Sequence, residues 1–465
     1  MSRRPWALAL VALVLVTLIG SCAEPALLEL SLVVPEGVDP LSGADEVRVR
    51  VTRTEGQSTT TLADPQALDL SFDVEVAGEY GQVLLEAYSG GALIARGETP
   101  SFTLRPLDDA FGLLVGRAGE VSSLKTHLDA PRAAMLVAPL PSIGFLVAGG
   151  HDAAGLPSSA AEIYDHWNHT CTTLSTALPE ARAEGVAVSC GSACALIALG
   201  RNRDGLASSF LSYSGAWAQI ADGLDASLRR RRAAVAALED GSYLVVGGLN
   251  STDEPMNSML RLRTGGGVEP GFTLLSQPMR EARDEPAVAS TGTAVVVVGG
   301  QAVEGLAGEV VYLASGETLA LALGGQAPSV GAAAVALANG KVAIIGGRDP
   351  SGQLLADGWL VDPLTRDVTH VENALNVARA GHIAMVVNGQ IVVIGGEDMS
   401  GISSSFEILS ESLRSLEVKE APGPRAQAHA VAVGAGSFLL FGGLDATGQP
   451  VSAVGLFETG QISLP

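Results

Sequence analysis

The chain has 465 residues, with 50 acidic against 28 basic side chains and a formal net charge of −22. That surplus argues against nucleic acid as a partner and against electrostatic docking on anionic lipid. The length is enough for more than one domain; 56 glycines with only 4% aromatics suit short strands joined by tight turns.

Arg3 and Arg4 precede an apolar run from Trp6 to Ile19, interrupted only by Thr17, that ends at Gly20-Ser21-Cys22. The run is too short to span a bilayer comfortably and has the charge, apolar core and small residues of a secretory signal. Leu18-Ile19-Gly20-Ser21-Cys22 resembles the bacterial lipobox. The resemblance implies a leader over 1–21, acylation of Cys22, and an exported protein held in the cell envelope by a lipid anchor, with Ala23 pointing to the outer membrane. Each buried acyl CH₂ contributes about 0.8 kcal/mol of membrane affinity. The alternative is an ordinary signal cut near Ala23.

Residues 22–108 read as a small β domain. Strands are predicted at Leu27–Val34, Val47–Arg53, Ala67–Val76, Gln82–Tyr88 and Ser101–Leu104. In VRVRVTR, Val47, Val49 and Val51 share one face, and Arg48, Arg50 and Thr52 share the wet one. Gly90-Gly91 marks a hairpin turn. An antiparallel sandwich of immunoglobulin-like type is expected, serving as a spacer. Ala110–Val115 and Val121–Leu124 read as further strands.

From there the chain repeats itself at intervals of roughly 50 residues. The runs are FLVAGG (Phe145–Gly150), LIALG (Leu196–Gly200, first glycine lost), YLVVGG (Tyr243–Gly248), VVVVGG (Val295–Gly300), VAIIGG (Val342–Gly347), IVVIGG (Ile391–Gly396) and FLLFGG (Phe438–Gly443). Runs this short and β-branched suit central strands. The glycines stop them where backbone meets backbone or takes a positive φ. Copies at a fixed period stack, because none can bury its own face. The first copy adds PRAAMLVA before the run, AEIYD after it and LPEAR beyond, and so resembles the kelch repeat of β-propellers. The resemblance covers about Pro131 to Pro465 and implies an all-β fold with a propeller over 109–465. Seven blades are expected, the last completed by Val121–Leu124; six remain if the degenerate second copy is absorbed elsewhere. The family's outer-strand Trp falls at Cys171, Trp217, Phe272, Leu319, Val368, Leu416 and Ile462, where an apolar side chain wedged between blades accounts for the pattern.

Cys190 and Cys194 flank a predicted hairpin turn and can form a disulfide in an oxidising compartment; Cys171 is left as a small buried hydrophobe. No metal ligand set accompanies them. His166 and His169 read as surface polars, and His382 and His429 as core residues near the axis. Asp152, Asp349, Asp398 and Asp445 each follow a glycine pair by two residues and read as turn acceptors. The acid–serine box of sialidases is absent. Tyr164 and Cys171 share one repeat, as the crosslinked pair of kelch copper-radical oxidases would, but without paired histidines. No catalytic residue, cofactor or metal is predicted.

One constellation stands above this background. Arg132, Arg182, Arg231, Arg283, Arg379 and Arg425 precede the first strand of six copies, with Ser329 in the fifth. First strands line a propeller's channel, so these guanidiniums either converge on one mouth as a site for an acidic ligand or tie blades together. Two functions remain: a non-enzymatic binding or scaffold lipoprotein taking a protein, peptide or glycan, and a periplasmic carbohydrate-active enzyme resembling the kelch sialate mutarotases. The second needs an acid/base beside Arg at the mouth, for which Glu184 and Glu281 are nearest in sequence.

Overall fold

A computed structural model describes residues 26–53, 58–63, 71–74, 80–103, 111–221, 224–265, 269–300, 307–324 and 327–460. The leader and Cys22 lie outside them, as does Ile462. Every regular element described is a strand. They form an eight-stranded N-terminal sheet, seven four-stranded sheets and one two-stranded ribbon, an architecture compatible with a propeller.

Alternation builds the N-terminal sheet. Glu46–Arg53 pairs with Tyr80–Ser89, and Val47, Val49, Val83, Leu85 and Ala87 are almost wholly buried on one face. Arg50, on the opposite face, is exposed. Gly90 and Gly91 take φ of +57° and +82° and turn the chain into Ala92–Glu98, a strand that, like Ser58–Ala63, is not among those predicted. One pair departs from the expected antiparallel pattern: Leu30–Val33 runs parallel to Phe111–Leu114. Phe111–Arg117 thus belongs to this N-terminal sheet rather than to the repeats.

Each of the seven sheets is antiparallel, and its second strand is the apolar run before a glycine pair, or before Leu199-Gly200 in the second sheet. The inner strands are Leu136–Leu140, Val186–Gly191, Ala234–Ala237, Ala287–Ser290, Ala333–Ala336, Ile383–Val387 and His429–Ala432. The second copy, despite its lost glycine, makes a complete sheet. In the seventh sheet the outer strand is Glu120–His127, which precedes all the repeats in sequence.

Between every pair of consecutive sheets lies a separate apolar cluster. Leu136, Leu146, Ile197 and Tyr213 join the first to the second, and Ala343, Ile345, Ile391 and Leu409 the fifth to the sixth. The same device joins last to first, through Leu439 and Phe441 against Met135 and Val147. Full burial of such a side chain contributes about 1.5–3 kcal/mol, so no sheet is stable without neighbours. Trp217 packs on the cluster between the first and second sheets and Phe272 on that between the second and third, as wedging requires.

Backbone bonds follow the same order. The second glycine of five pairs, and Gly200 in the copy that lost its first glycine, donate N–H to the carbonyl of the residue opening the next sheet: Gly150 to Arg182, Gly200 to Arg230, Gly248 to Arg283, Gly347 to Arg379, Gly396 to Arg425, and Gly443 back to Arg132, at 2.7–3.0 Å. The first glycine makes the approach feasible. At Gly395 φ is +65°, and a Cβ would stand 2.1 Å from the Arg425 carbonyl oxygen. Leu199 takes that place in the second sheet and holds φ at +58° without glycine's freedom.

The N-terminal sheet is fastened to the seventh and first sheets through buried polar groups. Arg96 pairs with Glu98 and, at 3.2 Å, with Glu458. Glu98 also accepts from the Ala435 N–H at 2.8 Å. Gly112 donates to the Trp167 carbonyl at 2.6 Å and accepts from His169 Nε2 at 3.2 Å. His166 and His169 are each only 5% exposed, so the expectation of surface polars fails. His169 fills this seam and His166 packs beside it on Phe145 and Trp167; burial lowers both to about 4.

Candidate functional site

The repeated arginines are the first residues to place. Arg132, Arg182, Arg283 and Arg379 have no exposed surface. Arg283 Nε reaches Glu309 at 3.0 Å, Arg379 reaches Glu407 at 3.3 Å and the Ser405 carbonyl at 2.9 Å, and Arg132 meets Glu162 and the Ala160 carbonyl. Arg182 bonds Glu180 at 2.5 Å and the Ser209 carbonyl at 3.0 Å. These groups hold the third strand of their own sheet, with carboxylates compensating the desolvation. A guanidinium enclosed in this way does not meet a ligand, and the convergent arginine ring is therefore corrected.

The third copy needs a further correction. Arg230, not Arg231, is the equivalent residue: it is fully buried and donates to the Ser258 carbonyl at 2.9 Å. Arg231 turns outward to Glu184 at 2.8 Å and Asp253 at 2.9 Å. Arg425 is half-buried, its acidity shaped by burial and by Asp445.

The residues two places later border a shared cavity instead. Ala134, Glu184, Arg232, Glu285, Gly331, Gly381 and Gln427 all take a left-handed φ between +46° and +68°. Four bonds link neighbours in this collar: Arg232 N–H to Glu184 O at 2.9 Å, Glu285 to Arg232 at 3.1 Å, Gly381 to Gly331 at 2.7 Å and Ala134 to Gln427 at 2.9 Å. All seven residues border a cavity of about 670 Å³, together with His151, Arg348, His382, Glu397 and His429. A volume of this order suits a small ligand or a side chain of a partner.

The charges sit on one side of the collar, on the second, third and fourth sheets. Glu184 accepts from Arg231, with His151 Nε2 and Arg201 Nε each 3.4 Å away. Burial alone would raise this carboxyl, but the bonds from His151 and Arg231 hold it down at about 2. Arg232 is 3.0 Å from Asp284 and 2.7 Å from Glu285. Burial raises Asp284 despite Arg232, and its Oδ1 has no hydrogen-bond partner among the described residues. Across the cavity Arg348 pairs with Glu397 at 3.0 Å. His382 and His429 are lowered by burial, to about 3 and about 4, and stay neutral near pH 7. Glu184 is thus brought to the mouth, whereas Glu281 does not border it.

The remaining sequence candidates have local roles. Cys190 and Cys194 form a disulfide with Cα atoms 5.0 Å apart. Cys171 stands opposite Tyr164 on the neighbouring strand, its thiol donating to Glu162 at 3.2 Å and raised by burial. Tyr164 hydroxyl meets His169 Nδ1 at 3.1 Å. Asp349 and Asp445 accept from the N–H groups two and four residues on at 2.8–3.0 Å, and Asp152 does the same at 2.9–3.0 Å; Asp398 accepts from Ser400 N–H at 2.7 Å. Among the described residues no group of three or more His, Cys, Asp or Glu could hold a metal ion. The sequence matches no protein-family model and no curated protein.

Proposed function

We propose that this is an exported, lipid-anchored envelope protein in which a closed seven-bladed kelch-type propeller acts as a binding module for a protein, peptide or glycan. The N-terminal sheet, on this reading immunoglobulin-like, connects the lipidated Cys22 to the propeller. The all-β chain of four-stranded sheets, packed in order and returning to the first, supports the propeller. The observation that carries the binding reading is the collar. Glu184 is held near 2 by its partners, so it stays ionised and serves as a fixed acceptor rather than as a proton donor at neutral pH.

Asp284 favours a second reading, a sugar isomerase of the mutarotase kind. It is raised by burial and lies 3.0 Å from Arg232 beside the mouth, the pairing that acid/base chemistry needs. A glycan array with an anomerisation assay on the same preparation separates the two. Capture of a ligand without faster anomerisation supports the module. Faster anomerisation that Asp284→Asn abolishes establishes the enzyme.

A further inference from the structure

A second cavity, of about 650 Å³, opens between the second and third sheets and includes Arg201, Arg203, Arg229 and Arg231. Four guanidiniums line this cleft with Asp204 and Asp253, and Glu184 and Asp225 act on them from beside it, so cations outnumber anions in the lining itself, in a chain of net charge −22. Glu184 and Asp253 occupy Arg231, and Glu184 stands 3.4 Å from Arg201. The other two differ. Arg229 donates Nε to the Leu224 carbonyl at 2.7 Å and acts electrostatically on the exposed Asp225, but among the described residues neither Arg229 nor Arg203 forms an ion pair within 4.0 Å. Arg203 stands exposed at the edge of the cleft and Arg229 is half-buried. Asn202 and Asn250 fold the two bordering turns on their own side-chain oxygens, accepting from Asp204 N–H at 2.8 Å and Thr252 N–H at 2.8 Å. The cleft is therefore shaped by local bonds, and Arg203 and Arg229 border it without a close ion-pair partner among the described residues.

We infer that this cleft is an anion site for a small molecule carrying two or more carboxylate or phosphate groups, engaged by Arg203 and Arg229. Guanidinium forks match both anions, a cleft focuses the field of its charges, and the volume admits a ligand of one or two rings. The site is separate from the channel mouth and does not rest on the function proposed for it.

The test is calorimetric titration of the full chain in detergent, at low salt, with citrate and with tripolyphosphate as probes. One-to-one binding of either probe is expected, weakened at least tenfold by Arg203→Ala and by Arg229→Ala and reduced by added salt. Arg348→Ala, at the mouth but outside the cleft, should bind within twofold of wild type. The probe that binds identifies the anion; Arg203→Glu, at an exposed position that leaves packing alone, should abolish that binding. No binding of either probe, or binding unchanged by both Arg203→Ala and Arg229→Ala, overturns the site. Loss of ligand capture at the mouth would leave this result untouched.

Discussion

At the scale of single residues, two kinds of arginine behave differently. Arg283→Ala leaves Glu309 fully buried without its cation, which should cost about 3–5 kcal/mol. Arg231→Ala removes a pair with the exposed Asp253, which contributes about 0–1 kcal/mol, and one with the partly buried Glu184, which keeps His151 and Arg201 beside it, so a smaller loss is expected. Urea unfolding of both variants should separate them, and equal losses would refute the assignment. Gly395→Ala should also be costly, because the position combines φ of +65° with a carbonyl 2.1 Å from the new Cβ. A loss well above 1 kcal/mol is expected. The histidines at and beside the seam bring a pH dependence. His166 titrates near 6.5 when unfolded but only at about 4 when folded. The unfolded state therefore binds the proton first, and stability falls as pH drops from about 6.5 toward 4. Melting curves between pH 7 and 4.5 should show a shallower decline for His166→Leu; an unchanged slope would mean that His166 is not responsible.

At the scale of elements, closure depends on one strand taken from far away in sequence. Glu120–His127 covers the edge that Ala453–Glu458 would otherwise leave open. Its Leu124, 2% exposed, packs in the cluster between the last and first sheets. Leu124→Ala should cost about 2–5 kcal/mol. Hydrogen exchange should then quicken first in His429–Ala432 and Ala453–Glu458, with the third and fourth sheets still protected. Uniform quickening through all seven sheets would argue that this strand does not close the ring.

At the scale of the molecule, the N-terminal sheet is welded to the ring rather than tethered to it. Glu458 is fully enclosed beside Arg96 and Glu98, and burial pushes its carboxyl well above the usual carboxylate range. One calorimetric transition is expected for wild type. Arg96→Leu, which leaves Glu98 without its cation, should split it or lower it by several degrees; an unaltered single transition would show the seam to be unimportant. The anchor is tested separately. Palmitate should label wild type and not Cys22→Ser, and equal labelling of the two would end the lipoprotein reading.

The sequence by itself carried the repeat, the central strands and the alternating faces of Glu46–Arg53, because burial on a strand leaves a local period. It also carried the Cys190–Cys194 pair and the aspartate turns, each closed within five residues. The arginine ring was visible but its direction was not. The burial of Arg132 against Glu162 joins positions 30 residues apart, a pairing no local period records. Arg229 to Arg232 are four arginines in a row, and only the bond from Gly200 to the Arg230 carbonyl decides which one is buried. At the collar only Glu184 was a candidate, through its closeness in sequence to Arg182; Arg232 and Glu285 had no signal of their own. A left-handed φ on a charged residue is set by strand starts crowding together, and no local pattern records that.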